Sequence, residues 1–209
     1  MISCCKAFPV AGNAPHPITI TTGAHKMANG REEALDMFCT ALEMKQKKQD
    51  LYDKSMKGCG DEVGKETFRL LRDAEREHGK QLQAVHDEMK KGSDWADACR
   101  YYPESHDELI SSFRDLAARH AEEVDVEACR SDIGAIETGM ELEDKCVRFF
   151  QDKLKTASGE LERRFLENMV SEEREHYRTL ADLKYYYTDP QGWMMEKSGA
   201  RLDGAGGAA

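Results

Sequence analysis

At 209 residues the chain has room for one domain with a sizeable core. It is 33% charged, 40% hydrophobic and 8% aromatic, with a net charge of −10 at neutral pH. An acidic surface without a basic stripe argues against nucleic acid and anionic membranes as partners, and no apolar run approaches the ~20 residues that a bilayer crossing requires.

Taken in chain order, residues 1–28 read as a disordered N-terminal arm. Pro9, Gly12, Pro15, Pro17 and Gly23 interrupt any helical period, the basic start and long apolar centre of a signal peptide are missing, and Met27 is a candidate translation start. A first helix is expected from about Arg31 to Lys57, with Asn29 as N-cap and Glu32 three residues on. Gly58-Cys59-Gly60-Asp61 breaks it, and a second helix should run from about Glu62 to Lys91, ending at Gly92-Ser93. A connection through Trp95 and Pro103 holds a shorter helix from about His106 to Glu123, opened by Ser105 with Glu108 as a capping box. The third long helix is expected over about Ser131–Thr156 and the fourth over about Glu160–Tyr186, stopping before Asp189-Pro190. Residues 189–209 form a tail that thins into Gly and Ala and is expected to be mobile. No strand pattern is present. Short loops within each helix pair and a long link between pairs describe a bundle over residues 29–188 with one crossover.

Seven cysteines (Cys4, Cys5, Cys39, Cys59, Cys99, Cys129, Cys146) are scattered and never spaced C-x-x-C. That pattern excludes a tetrathiolate iron or zinc site and suits reduced thiols in a cytoplasmic protein.

The inward stripes carry the chemistry. Steps of alternating three and four residues follow one face of a packed helix. They give Leu35, Phe38, Leu42, Lys45, Gln49, Tyr52, Met56 in the first helix, and Phe68, Leu71, Glu75, His78, Leu82, Val85, Met89 in the second. The third gives Ile136, Met140, Glu143, Val147, Phe150, Leu154, and the fourth Leu166, Met169, Glu173, His176, Leu180, Leu183. Each stripe is apolar except near its middle. Polar groups at core positions are costly unless paired or metal-bound, so four coincident interruptions imply one shared site.

An internal repeat supports the same conclusion. Adding 98 to Lys45, Tyr52, Glu75 and His78 lands on Glu143, Phe150, Glu173 and His176, and the string Glu75-Arg76-Glu77-His78 recurs as Glu173-Arg174-Glu175-His176. Glu and His at i and i+3 project from one helical face and can bind the same ion. Carboxylate and imidazole together suit iron, manganese or zinc better than calcium or copper(I). Di-iron bundles use one Glu from each of two helices and a Glu-x-x-His from each of the other two. The candidate metal ligands are therefore Glu75, His78, Glu143, Glu173 and His176, holding one or two ions. Without metal, the same residues would make a buried hydrogen-bond network in which Lys45 pairs with Glu143. Glu77, Glu141, Glu172 and Glu175 lie off the stripes and are expected to be solvated. Cys146, one turn from Glu143, reads as a packing thiol.

The run Gly139-Met140-Glu141-Leu142-Glu143, the aromatic Phe150 and Glu173-x-x-His176 resemble the erythrin half-repeat of rubrerythrins, and Glu75-x-x-His78 resembles its counterpart in the first half. The resemblance covers roughly residues 32–187. It implies an all-α, ferritin-like four-helix bundle of two pseudo-repeated helix hairpins joined by a long helical crossover. It also implies two irons, reduction of hydrogen peroxide or dioxygen, and a homodimer. Three departures stand out. Lys45 occupies the place of the first-helix ligand glutamate, Cys146 that of an extra glutamate, and the rubredoxin-like module is missing, so electrons would come from a separate donor. The alternative is a degenerate bundle that holds one metal or none and serves binding or interaction.

Overall fold

The computed structural model describes residues 22–98, 109–120 and 126–197. Among them are four long helices, α1 (Thr22–Gly58), α2 (Glu62–Lys91), α5 (Val126–Thr156) and α6 (Glu160–Thr188). Three shorter ones are α3 (Trp95–Ala98), α4 (Leu109–His120) and α7 (Pro190–Lys197). No strand occurs among the described residues, and none of their helices is long and apolar enough to cross a membrane.

The breaks fall where backbone chemistry puts them. Asp61 caps α2 by accepting from the Gly64 amide at 2.9 Å. At the other end Gly92 takes φ +107°, and the amides of Gly92 and Ser93 return to Met89 and Glu88 carbonyls at 3.1 and 3.2 Å. That left-handed turn is open to glycine without a Cβ penalty. Glu162 accepts from the Ser158 and Gly159 amides at the start of α6, at 3.1 and 3.4 Å.

Two of the expected boundaries differ, and a third lies outside the described residues. Asn29 does not cap a helix, because α1 begins at Thr22 and passes through it. The upstream Ala24, Lys26, Met27 and Ala28 are good helix formers, so a cap-like residue within them starts nothing new. The expected Ser105–Glu108 cap lies outside the described residues, as do residues 1–21 of the arm. Beyond Asp189 the chain forms α7, with Pro190 at its first position and Asp189 accepting from the Gly192 amide at 2.9 Å. Trp193, 1% exposed, then packs edge-on against Phe113 and Tyr186 with centroids 5.8 and 5.2 Å apart.

The long helices pair as the repeat requires, α1 with α2 and α5 with α6, and α1 also packs along α5. The apolar interior falls into two clusters. One holds Phe38, Leu42, Leu82, Val85, Phe150 and Leu166; the other holds Tyr52, Phe68, Leu71, Ile136, Leu180 and Trp193. On every long helix the polar stripe residues lie in sequence between the two. The site therefore sits in a buried middle layer with an apolar core on either side.

Candidate metal centre

Glu75, Glu143, Glu173 and His176 converge, each fully buried, with one potential ligand atom apiece within 4.8 Å of the others. They arrive from α2, α5 and α6 because each stripe turns the same face inward. The His176 Nδ1 lies 2.8 Å from Glu75 Oε1 and 3.8 Å from Glu143 Oε1. This is a donor set with the composition and compactness of a metal centre.

His78 sits beside this group. Its ring stacks on that of His176, with centroids 5.6 Å apart and an interplanar angle of 5°, and its Nδ1 lies 3.5 Å from Glu172 Oε2. Glu172, expected in solvent, is only 5% exposed. Glu172 and His176 are four residues apart and share a helix face, so the buried strip of α6 is wider than one heptad stripe. Glu77 and Glu141 are exposed as expected, and the half-buried Glu175 approaches the Ile110 amide at 3.4 Å.

Two ammonium groups complete the site, and the sequence stripe contained one of them. Lys45, 1% exposed, donates to Glu75 Oε2 at 3.0 Å and to Glu173 Oε1 at 2.9 Å. The expected Lys45–Glu143 pair does not form, because Lys48 takes that carboxylate at 2.7 Å. Lys48 is fully buried and also bonds Glu75 and Glu173. The heptad step from Lys45 passes over Lys48 to Gln49, which is half-buried and donates to the Glu75 carbonyl at 3.2 Å. Positions 45, 48 and 52 lie within one helical face, so Lys48 was reachable by the i,i+3 spacing that marks the Glu-His pairs. The repeat offset also places it opposite Cys146. Tyr52, an aromatic of the apolar stripe, donates its hydroxyl to Glu143 Oε1. It reaches there past Gly139, where an added Cβ would stand 3.2 Å from the Tyr52 ring and 3.0 Å from Leu180.

The electrostatics follow from burial and pairing. Burial alone would pull both lysines down, but Glu173 and Glu75 hold Lys45 above the usual lysine range, and Glu143, Glu173 and Glu75 do the same for Lys48. Burial opposes ionisation of Glu75 and Glu173 as well, yet Lys45 and Lys48 override it, leaving Glu75 well below the carboxylate range and Glu173 at about 2. Glu143 goes the other way, up to about 8, because burial and the charges of Glu75 and Glu173 outweigh Lys48. Two ammonium groups thus face three carboxylates, of which Glu143 holds a proton most strongly. Burial pushes the Tyr52 hydroxyl up, with Glu143 adding to it, and pushes up the Cys146 thiol, with Glu173 adding to it. Cys146 is therefore a protonated packing thiol, 2% exposed.

The sequence model of the Rubrerythrin family matches residues 33–184. No curated protein and no solved structure matches the chain. The matched segment spans most of both hairpins and every residue of the polar layer, so the chain belongs to the rubrerythrin family.

Proposed function

We propose that this protein is a rubrerythrin-family bundle whose core works without metal, and that it serves binding or interaction instead of peroxide reduction. The observation that carries this reading is Lys48, whose ammonium contacts all three carboxylates of the candidate metal group. A metal ion would have to compete with it for the same oxygens. Two divalent ions beside two ammonium groups would face only three carboxylates, a large excess of positive charge in a medium that screens poorly. The residues present thus do not fit a dinuclear centre while both lysines stay in place. Replacing ions by ammonium groups keeps the charge balance that the glutamates need and gives up open coordination positions.

The second reading, an iron-dependent oxidoreductase acting on peroxide or dioxygen, has the convergence of Glu75, Glu143, Glu173 and His176 in its favour. It requires Lys48 to withdraw from a fully buried position, and it requires a separate electron donor. Metal analysis of protein purified from iron-supplemented cells separates the two, paired with thermal melts in the presence and absence of a chelator. The metal-free reading expects far less than one ion per chain and a melting temperature indifferent to chelator. Two irons per chain and a chelator-sensitive melt would overturn it.

A further inference from the structure

The polar layer is reached from outside by a cleft of about 350 Å³ between α1 and α2, within the size range of small-molecule sites. Its position follows from one missing side chain. Gly79 is buried at the α1–α2 contact, and an added Cβ there would meet only Gln49 Nε2, at 3.4 Å. The repeat offset carries Gly79 onto Tyr177, Gln49 onto Val147 and Gln83 onto Ala181. The first hairpin therefore has a gap and two amides where the second has a ring and two small apolar groups.

The lining has a definite chemical character. Lys45, Arg76 and Lys80 bring positive charge, Gln46, Gln49 and Gln83 bring amides, and Leu42 brings a hydrocarbon side chain. No carboxylate lines the cleft, in a chain with 40 Asp and Glu against 30 Lys and Arg. An ammonium has three donors. Those of Lys48 are matched by three carboxylates, whereas Lys45 contacts only Glu75 and Glu173. Lys45 is nearly fully buried and also borders the cleft, so a group bound there would lie beside its ammonium. At the rim, Lys80 touches Glu77 at 3.0 Å and Arg76 touches Asp73 at 3.4 Å. Those exposed pairs are weak and exchange readily for a ligand.

We propose that this cleft binds a metabolite-sized molecule through an oxyanion head group, a phosphate or a carboxylate. The head group lies beside the Lys45 ammonium, with Arg76 and Lys80 closing over it. The side-chain oxygens of Gln46, Gln49 and Gln83, whose amide nitrogens donate to Asp50, the Glu75 carbonyl and Asp87, face the polar body of the ligand as acceptors. Arginine's planar fork suits either head group, and lysine acts as a point charge. The proposal rests on the metal-free reading in one respect: Lys45 must remain an ammonium held in the core.

The test is calorimetric titration of the full chain with inorganic phosphate and, separately, acetate, at ionic strength fixed with sodium chloride. Saturable heat with at least one probe is expected, and the stronger probe identifies the head group. Arg76→Gln/Lys80→Gln, which alters only exposed side chains, should weaken binding about tenfold. Gly79→Leu, which fills the cleft and removes no charge, should abolish it. Absence of saturable heat with both probes, or titrations indistinguishable between parent and either variant, would overturn the site. Metal analysis keeps the two claims apart. Iron-loaded protein that still binds phosphate refutes the metal-free core alone. Metal-free protein that binds neither probe refutes the cleft site alone.

Discussion

Replacing Lys48 by Met keeps most of the side-chain volume and removes one buried cation from three carboxylates. Breaking a buried ion pair from one side costs about 3–5 kcal/mol, because the remaining charge has lost its partner without regaining water. The lower end applies here. Glu143 holds its proton more strongly than the other two, its pKa raised to about 8, so the uncompensated charge falls chiefly on Glu75 and Glu173, which still face Lys45. A loss of about 3 kcal/mol in a protein of this size lowers the melting temperature by roughly 6–12 °C. The same substitution clears the position in front of Glu75, Glu143, Glu173 and His176. A divalent ion at a hundredfold its dissociation constant would return about 2.7 kcal/mol and nearly cancel the loss. The assay is thermal melting of parent and Lys48→Met at pH 7.5, each with chelator and with excess zinc or cobalt(II). The variant should melt low with chelator and recover with metal, and cobalt should develop an absorption band absent from the parent. A drop of less than ~2 °C would refute the energetic reasoning, since the ammonium would then contribute almost nothing. Equal metal stabilisation of parent and variant would show that Lys48 does not occupy the metal's place.

The acid–base prediction concerns Glu143. Its folded affinity for a proton, about 8, exceeds the ordinary value of 4.5, so it favours the folded state fully at low pH, and that contribution is lost as pH rises from about 4.5 through 8. Glu143→Gln cannot ionise, so melting temperature of variant minus parent should grow steadily from pH 5 to pH 8; a flat difference would contradict the raised value. Glu173, held at about 2, acts in the opposite sense, and both proteins should lose stability as pH falls from about 4.5 toward 2. Gly139→Ala places a methyl against Tyr52 and Leu180 and should cost about 1–3 kcal/mol, read in urea unfolding; a neutral result would mean that α1 and α5 have slack there. Lys45→Glu/Lys48→Cys gives α1 the residues that the repeat places on α5, and metal analysis should find more ion per chain than in Lys48→Met. No gain would show that α1 takes no part in metal binding.

How much of this was legible beforehand differs from residue to residue. The stripes, the Glu-x-x-His pairs and the offset of 98 gave the two hairpins and the convergence of Glu75, Glu143, Glu173 and His176, because helical period is a property of the sequence itself. Three residues escaped for related reasons. Lys48 and Glu172 lie one step off a heptad stripe, yet both are buried, since a helix packed on two neighbours hides a face wider than the stripe. Tyr52 lay on the stripe as hydrocarbon, and its hydroxyl acquired a role only when Gly139 let α5 approach closely enough for Glu143 to accept from it.

Composition and periodicity alone determined that this chain is helical, paired and polar at its middle. Which carboxylate each ammonium takes, that His78 turns to Glu172 while His176 turns to Glu75, and that Glu143 is pushed toward its protonated form while Glu75 and Glu173 are pushed away from it were decided by the tertiary structure. The reason is physical. A pattern assigns residues to a face, but the partner of a buried charge is chosen by distances of a few ångströms across helices far apart in the chain, and in a medium of low polarity those distances set the energy.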